Sequence, residues 1–221
     1  MPSSTFVLEG IDVSSNQGPV DWQAVTAGTF LFAYLRATIG AHTADSQFAG
    51  NWVRIRRTKL LRGAYHYFWP LADPAEQANN YIQMVGILAA GDLPPALDIE
   101  EAYLQVNPGQ DVWMTIAPDK RLPIVLNWLA RVEHAMGVTP IIYSRENYLE
   151  QLLGNGVVEL SGYPLWIARY TDAQQPSIPS AWNNWTFWQY SETGSVSGVS
   201  GGVDLDRFNG DLTSLKTLAK A

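Results

Sequence analysis

Carboxylate residues recur at the ends of short apolar runs in this 221-residue chain. Asp98 and Glu100 close one such run, Asp12 lies near the end of the first, and Asp204 and Asp206 lie in the last. Two side chains two residues apart on a strand point to the same face. When two carboxyl groups share a cleft, one pKa rises, so the pair holds a general acid beside an ionised partner. Such a pair of carboxyl groups is the smallest set of catalytic residues that hydrolysis of a glycosidic bond requires.

The sequence lacks the residues and motifs that several other kinds of catalysis require. The chain has no cysteine, which excludes disulfides, thiolate zinc sites and cysteine nucleophiles. Its three histidines, His42, His66 and His134, are widely spaced, so no metal site is expected. The sequence contains no Gly-x-Ser-x-Gly elbow, P-loop or dinucleotide fingerprint, and we therefore predict no cofactor. We interpret His66 as a buried structural histidine.

Charge and aromatic content favour a neutral sugar as the ligand. The net charge of −7 disfavours nucleic acid, because an acidic surface repels phosphates. The chain carries 9 Trp and 10 Tyr, and aromatic rings stack on sugars, although core packing explains most of them. No apolar stretch is long enough for membrane insertion, and we expect a monomer. The aromatic residues nearest predicted strand ends are the candidates for a sugar-binding groove: Trp69, Tyr143, Trp188 and Tyr190.

Eight strands are predicted from runs rich in aromatic and β-branched residues, and helical runs separate the first five or six. Asp73, Pro74 and Glu76 form a helix-start signal for a helix that extends to about Leu88, and Gly137 ends a periodic apolar run that begins near Pro118. The other predicted helices are Asp45–Leu61, Arg145–Leu153 and Leu212–Ala219. The predicted strands are Phe6–Val13, Phe30–Thr38, Gly63–Trp69, Pro95–Glu100, Pro140–Ser144, Leu165–Tyr170, Trp185–Ser191 and Val203–Phe208.

The alternation of strands and helices changes after Tyr170, where the segments between strands become short and rich in Pro, Gly and Ser. This pattern predicts an α/β fold, an incomplete TIM-like barrel of (β/α)5 followed by three strands with little helix. A doubly wound open sheet is the alternative, and periodicity does not choose between them. In a barrel the carboxylates at the strand ends meet at one rim, which is where barrel enzymes carry their chemistry.

A set of motifs in fixed order extends from about Glu9 to Phe208, nearly the whole chain. The motifs are Gly10-Ile11-Asp12-Val13-Ser14, Asp21-Trp22, Gly63-Ala64-Tyr65-His66-Tyr67-Phe68, Leu97-Asp98-Ile99-Glu100, Pro140-Ile141-Ile142-Tyr143, Leu165-Trp166-Ile167-Ala168, Trp188-Gln189-Tyr190-Ser191 and Gly202-Val203-Asp204-Leu205-Asp206-Arg207-Phe208. In this order and spacing the chain resembles glycoside hydrolase family 25, the Chalaropsis-type lysozymes.

The resemblance implies hydrolysis of the β-1,4 bond between N-acetylmuramic acid and N-acetylglucosamine in bacterial peptidoglycan. It implies that Glu100 is the proton donor and Asp98 its partner carboxylate, which stabilises an oxazolinium ion or helps to activate water. Asp12 and Asp204 would complete the acidic cluster. By the same resemblance, Tyr65 and Tyr143 would line the substrate site.

The chain departs from the family pattern at three places. After the second predicted strand, Arg36 stands where the family usually has lysine, and Ile39 where it often has an acid; we expect Arg36 to line one rim of the groove. The segment Tyr103–Ala117 is longer than usual and is expected to extend the groove or to cover part of it. No wall-binding repeats are seen, so residues 1–221 are predicted to form a single catalytic domain with its core at about 9–208.

Two other functions remain open at this stage. One is a chitinase-like glycosidase of different specificity, and the other is a non-catalytic glycan-binding protein on a hydrolase scaffold. The start of the chain carries no visible signal peptide. A phage endolysin released from the host cytoplasm to the cell wall would look like this, as would a secreted protein without its leader.

Overall fold

The computed structural model describes residues 8–145 and 147–219, and eight of its strands close into a barrel. The strands follow one another around the barrel in the order β1, β11, β10, β9, β8, β5, β4 and β2, and β2 pairs with β1 to close it. The barrel strands are β1 Leu8–Val13, β2 Phe32–Ile39, β4 Leu61–Tyr67, β5 Ala96–Asp98, β8 Ile141–Arg145, β9 Leu165–Ala168, β10 Phe187–Gly194 and β11 Val203–Phe208. Closure of the barrel excludes the doubly wound open sheet. Phe6 and Val7 of the first predicted strand lie outside the described residues.

Helices follow the first five barrel strands and are absent between the last three, which confirms the predicted (β/α)5 pattern. Three further short strands lie outside the barrel. The first, β3 Thr43–Ala44, pairs with β2, and the hairpin of β6 Tyr103–Leu104 and β7 Asn107–Asp111 precedes the longest helix. The helices are α1 Trp22–Thr26, α2 Phe48–Ile55, α3 Pro74–Val85, α4 Pro118–Met136, α5 Tyr148–Leu153 and α6 Leu212–Leu218, with 3-10 turns at Ser15–Gln17, Val112–Thr115 and Gly154–Leu160.

Strand β11 runs antiparallel to both of its neighbours, whereas the other pairings within the barrel are parallel. The expectation that all acids reach the rim at carboxyl ends of strands is therefore wrong for β11. Asp204 reaches the rim because it lies near the amino end of an inverted strand, directly opposite Asp12. Asp206, two residues later on β11, lies one layer deeper in the barrel.

Alternating residues on each strand divide the core into an inner and an outer layer. The inner layer fills the barrel and includes Phe32, Tyr34, Trp166 and Phe187, whose rings contact one another. The outer layer packs the barrel against the helices. Because both faces of the strands are buried, their sequences are almost continuously apolar, as is usual for parallel sheets covered by helices.

Three predicted helices have different bounds in the structure. The helix predicted over Asp45–Leu61 covers only Phe48–Ile55, because the carboxylate of Asp45 is held by Arg36 and the Ser15 amide, and Leu61 begins β4. The helix predicted from Arg145 begins at Tyr148, because Arg145 still pairs in β8. Helix α3 ends at Val85 rather than near Leu88, since Gly86 has a φ of 72°.

Gly63 is required at its position because the ring of Tyr34 occupies the space of a Cβ. We expect Gly63→Ala to lower the free energy of unfolding by about 1–3 kcal/mol, since a buried ring must move to admit the methyl group. Urea unfolding of the variant measures this. Gly162→Ala is the matched control, because nothing lies within 4 Å of the added Cβ there. Equal stability of the two variants would contradict the packing argument.

Candidate active site

The barrel opens at one end into a polar cavity of about 200 Å³. Its wall includes five carboxyl groups of the barrel strands and the loop after β5, together with tyrosine rings and two arginines. The lining residues are Asp12, Ser14, Asn16, Gln17, Arg36, Tyr65, Tyr67, Asp98, Glu100, Tyr143, Arg145, Trp166, Tyr170, Gln189, Glu192 and Asp204. Strand ends from every part of the barrel therefore converge on one cavity, as the position of the acids predicts.

The backbone that carries Asp98 and Glu100 is held from several sides. The carbonyl of Asp98 accepts a hydrogen bond from the amide of Phe68 (3.1 Å), and that of Ile99 from Ser144 Oγ (2.7 Å). The next two carbonyls accept from the Trp113 indole and from the Tyr67 hydroxyl, each at 3.1 Å. Four consecutive carbonyls are thus bound by different segments, so the two carboxyl groups start from a fixed main chain.

Burial and mutual repulsion keep protons on the Asp98 and Glu100 pair. Burial raises the pKa of Glu100 to about 7, while the Arg145 guanidinium opposes that rise and Glu101 adds to it. The pKa of Asp98 is also raised, first by burial and then by Glu100, against the attraction of Arg36. Because neither carboxyl ionises easily next to an ionised neighbour, the pair retains a proton near neutral pH.

Asp12 is fixed by a hydrogen-bond network that crosses the cavity. Gln189 Nε2 donates to Asp12 Oδ2 over 2.7 Å. Gln189 Oε1 accepts from the hydroxyls of Tyr143 (2.9 Å) and Tyr170 (2.8 Å), so the amide can only direct its NH₂ group toward Asp12. Burial, followed by Asp204 and Asp206, raises the pKa of Asp12. The network therefore holds a carboxyl group whose charge is costly to bury.

Asp204 lies at the mouth of the cavity and Asp206 beneath it. Burial, with a contribution from Glu192, raises the pKa of Asp204 to about 6, and a hydrogen bond to Asp12 opposes the rise. Asp206 is fully buried and accepts a hydrogen bond from the Trp166 indole over 2.8 Å. Its pKa is raised mainly by burial. A sixth carboxyl group thus lies beneath the five that line the cavity.

Arg36 links the ends of β1 and β2 beside the acids. Its Nε donates to Asp45 Oδ2 over 3.0 Å, and its Nη2 donates to Ser15 Oγ over 3.1 Å. Ser15 also donates its amide to the same Asp45 oxygen over 2.8 Å. The guanidinium is therefore held in place at the cavity wall, where its charge favours ionisation of Asp98.

The structure brings seven of the ten predicted site residues to the cavity. These are Asp12, Arg36, Tyr65, Asp98, Glu100, Tyr143 and Asp204. It places Trp69, Trp188 and Tyr190 outside the cavity, although all three were expected to face a sugar.

The expectation for Trp188 is wrong because its side chain is on the outer face of β10. The ring is 1% exposed, packs at right angles to Trp185, and donates its N–H to the carbonyl of Arg169. Tyr190 shares this outer face, where its hydroxyl contacts Glu9 and the Arg207 guanidinium lies 4.1 Å above its ring. Trp69 packs half-buried against the outer core. Because side chains alternate between the two faces of β10, Gln189 points into the barrel and its aromatic neighbours point outward.

Residues that the sequence argument did not select include Gln189, Tyr67, Tyr170 and Arg145, all of which line the cavity. Gln189 was visible in the sequence only as the residue between two aromatic ones. Its inward position follows from Phe187, an inner-layer residue two positions earlier on β10. Tyr170 and Arg145 come at or just after strand ends, which is the position that predicts a rim residue in a barrel.

His66 is a structural residue, as predicted. It is fully buried in the outer layer, with its ring stacked on Trp128. Nδ1 contacts Thr38 Oγ1 at 2.7 Å and Nε2 contacts Gln77 Oε1 at 3.1 Å. Burial lowers the pKa of His66 to about 4, so the imidazole is neutral at physiological pH.

The segment Tyr103–Ala117 lies beside the cavity, and none of its residues lines it. Its base is held by Asp111, which accepts from the amides of Ala102 and Trp113 and from the hydroxyl of Tyr148 (2.5 Å). A second hollow of about 450 Å³ adjoins the cavity and shares Arg145, Tyr170 and Glu192 with it. The two hollows together form an open path longer than the cavity alone.

Residues 8–145 and 147–219 contain neither a cluster suited to a metal ion nor a helix suited to a membrane. No group of three or more His, Asp or Glu side chains in this part of the chain is arranged to hold a metal ion. None of the helices in the same ranges is both long enough and apolar enough to cross a membrane.

Comparison with known proteins identifies the family to which this chain belongs. The family model for glycosyl hydrolases family 25 matches residues 11–199. The chain belongs to this family. Lysozyme M1 of Streptomyces globisporus is 33% identical over 223 residues, which cover 99% of this chain and 74% of that protein. The N,O-diacetylmuramidase of Chalaropsis sp. is 24% identical, with 96% and 99% covered.

A solved structure shows the same fold in this family. The bacterial lysozyme from Streptomyces coelicolor superposes with a TM-score of 0.89 at 32% identity, covering 97% of this chain and 98% of that one. The chain is therefore a glycoside hydrolase on a closed eight-stranded barrel. Its cavity brings together several carboxyl groups of raised pKa, and carboxyl groups are the residues that glycoside hydrolysis uses.

The raised pKa of Glu100 predicts a pH-dependent cost to stability. The pKa of Glu100 in the folded protein, about 7, exceeds the ordinary value of 4.5. The stabilising contribution of Glu100 to the fold is therefore fully present below about pH 4.5, and it is lost as pH rises through 7. We expect Glu100→Gln to be more stable than the native protein at about pH 8 by roughly 3 kcal/mol, at about 1.4 kcal/mol per pKa unit.

Urea unfolding at about pH 4 and about pH 8 measures this difference. The expected gain appears only at the higher pH, where the native carboxyl must ionise in its buried site. Glu159→Gln, at an exposed position in the 3-10 turn Gly154–Leu160, is the control and should show no such gain. A gain of equal size at both pH values would contradict the proposed titration.

Proposed function

We propose that this protein is an N-acetylmuramidase, which hydrolyses the β-1,4 bond between N-acetylmuramic acid and N-acetylglucosamine in bacterial peptidoglycan. The observation that carries the proposal is Glu100, a carboxyl group with a pKa of about 7 at the mouth of a cavity lined by Asp12, Asp98 and Asp204. Similarity to Lysozyme M1 and to an N,O-diacetylmuramidase supports the choice of substrate.

Glu100 acts as the general acid. It transfers its proton to the glycosidic oxygen as the bond from that oxygen to the sugar C1 breaks, so that the leaving sugar departs with a neutral hydroxyl group. Glu100 is only partly buried, which allows a bound strand to reach its carboxyl group. Its fixed main chain limits the range of positions of the donor oxygen.

Asp98 provides the negative charge that the reaction requires as the proton leaves Glu100. Positive charge develops on the sugar ring in the transition state, and a nearby carboxylate stabilises it. Asp98 lines the cavity, and no residue in the described ranges donates a hydrogen bond to its buried Oδ1. Arg36 favours the ionised form of Asp98. Water then adds to C1, and a carboxylate takes up the proton that water releases.

The shape of the site supports a polymeric substrate. The cavity at the barrel mouth continues into the second hollow through Arg145, Tyr170 and Glu192. Both hollows are open, so a glycan strand can enter and leave along its length without its ends being threaded. The Tyr65 hydroxyl and the Asn16 amide lie along this path and can donate hydrogen bonds to sugars. The Tyr67 hydroxyl donates to the Glu101 carbonyl and can accept a hydrogen bond from a sugar.

Digestion of purified peptidoglycan followed by mass spectrometry of the released muropeptides tests the proposal. We expect fragments that end in a reducing N-acetylmuramic acid. Fragments that end in a reducing N-acetylglucosamine, or free stem peptides, would overturn it. The Glu100→Gln variant, prepared in parallel, identifies activity carried over from the expression host. Release of sugars from chitin oligomers at a rate equal to that from peptidoglycan would indicate a glycosidase of broader specificity.

A further inference from the structure

We infer that Arg145 binds a carboxylate carried on the lactyl substituent of N-acetylmuramic acid, the group by which this sugar differs from N-acetylglucosamine. The inference rests on the proposed function, and it names a residue that recognises the substrate of that function. The carboxylate is either the free lactyl acid of a peptide-free strand or an acid of the stem peptide that is joined to the lactyl group.

Arg145 lies where the two hollows of the site meet. It is the last residue of β8 and pairs with Ala168 of β9. It lines both the cavity that contains Glu100 and the adjoining hollow of about 450 Å³. A sugar that places C1 beside Glu100 carries its lactyl group at C3 of the same ring, so the substituent reaches the wall around that sugar. The junction of the hollows is therefore a position from which a side chain can contact it.

An anionic substituent needs a cation in this acidic site. The described residues that line the cavity include five carboxyl groups and two arginines, Arg36 and Arg145. A carboxylate that enters is repelled by each of these acids that is ionised, whereas an uncharged sugar is not. A strand that contains muramic acid therefore gains from a cation that a chain of N-acetylglucosamine does not require.

Arg36 already has its partners within the fold. Its Nε donates to Asp45 over 3.0 Å and its Nη2 donates to Ser15 Oγ over 3.1 Å. The side chains of Arg36 and Asp45 are 16% and 1% exposed, so little solvent reaches this ion pair. If a substrate drew Arg36 away, a buried carboxylate would lose its cation, which is unfavourable. Arg36 is therefore a structural part of the cavity wall.

The ion pair of Arg145 is longer and more open to solvent. Its Nη1 lies 3.5 Å from Glu101 Oε2, whereas strong charge-assisted hydrogen bonds measure about 2.7–2.9 Å. The arginine side chain is 52% exposed, and exposed ion pairs contribute little to stability. A guanidinium presents several N–H donors in a planar fork, so it can bind a carboxylate of the substrate through a pair of them. Such binding has little effect on the stability of the fold.

Arg145 also acts on the catalytic acids through its charge. Burial raises the pKa of Glu100 and of Asp98, and the guanidinium of Arg145 opposes the rise in both. This influence is the same for every strand that is cleaved. When two strands differ only in their carboxylates, it cancels in the ratio of their kcat/KM values, so that ratio reports the contact between Arg145 and the substrate.

Two pairs of strands test the inference. The first pair is peptide-free, with the lactyl carboxyl groups either free or converted to uncharged methyl amides. The second pair retains the stem peptides, with their acids either free or converted in the same way. In at least one pair we expect native kcat/KM to be about tenfold higher for the strand with free acids, the effect of one hydrogen bond to a charged group. Arg145→Gln should abolish this preference.

The pair that shows the preference identifies the source of the carboxylate. A preference that depends on Arg145 in the peptide-free pair assigns the lactyl acid, and one in the peptide-bearing pair assigns an acid of the stem peptide. Arg131→Gln, at an exposed position of α4, is the control and should keep the native ratio. The absence of a preference in both pairs, or an unchanged preference in a folded Arg145→Gln variant, would overturn the inference.

Titration calorimetry with the inactive Glu100→Gln variant repeats the comparison without turnover. The strand with free acids should bind about tenfold more tightly than its amidated counterpart. The double variant Glu100→Gln, Arg145→Gln should bind the two strands equally. Equal binding of the two strands by Glu100→Gln in both pairs would overturn the inference. Failure of the native protein to cleave any peptidoglycan strand would instead refute the proposed function, and calorimetry would still decide the role of Arg145.

Discussion

Glu100→Gln should lower the rate of peptidoglycan cleavage by about a thousandfold, the middle of the range for loss of a general acid. Glutamine fills the same volume and makes similar contacts, but it has no acidic proton for the glycosidic oxygen. The loss should therefore appear in kcat, with KM changed little. Turbidity loss of cell-wall suspensions and release of reducing sugar both measure the effect.

The native pH profile supplies a second measurement of the same group. Because the pKa of Glu100 is raised to about 7, activity should fall as pH rises through that value and Glu100 loses its proton. Glu159→Gln is the control and should keep full activity and the same profile. If Glu100→Gln were folded and retained more than about a tenth of native activity, Glu100 would not be the general acid.

Asp98→Asn should lower kcat by about a hundredfold to a thousandfold, a loss typical of removing one electrostatic contact to the transition state. The amide keeps the shape of the side chain, so the change tests its charge. Without that charge, the positive sugar ring faces a neutral group as the bond to the leaving oxygen breaks. Arg36 and Arg145, which now favour an ionised Asp98, would face no balancing charge there.

Steady-state kinetics on soluble peptidoglycan fragments, together with unfolding measurements, test Asp98→Asn. Asp172→Asn, on an exposed loop, serves as the control for a lost surface carboxylate. The variant should also lower the pKa of Glu100, since a neutral neighbour no longer opposes its ionisation, and the alkaline limb of the remaining activity should move to lower pH. Native kcat in a folded Asp98→Asn variant would contradict the role of Asp98.

Local sequence signals predicted the elements that depend on neighbouring residues. Asp73 caps α3 by accepting the amides of Ala75 and Glu76, as its spacing to Pro74 indicates. Gly137 ends α4 in the left-handed conformation, with a φ of 71°. Such signals act within about one helical turn, so the sequence contains all the information that they need. Bounds failed where a distant partner intervened, as at Asp45. One oxygen of its carboxylate binds Arg36 and the other accepts the amide of Gln47, and α2 begins only at Phe48.

The difference between local signals and distant contacts also explains why the aromatic residues of β10 were wrongly expected at the groove. Trp188 and Tyr190 were expected at the groove because they lie near a predicted strand end. Their rings contact each other, with centroids 6.0 Å apart, but they do so on the outer face of β10. A strand with apolar residues on both sides carries no local signal for which side lies inside, because both layers are buried.

The sequence by itself determined that Asp98 and Glu100 close one apolar run, that cysteine chemistry lacks its residue, and that five strand–helix units precede three strands. These properties depend on residue type and on spacing over a few positions. Only the tertiary structure decided that β11 runs antiparallel, that Gln189 faces inward, and that Asp206 lies beneath Asp12. Gln189 and Asp12 are 177 positions apart, and their contact exists only because the barrel closes. Closure sets which face of each strand is the interior, and that choice is made by all the strands together.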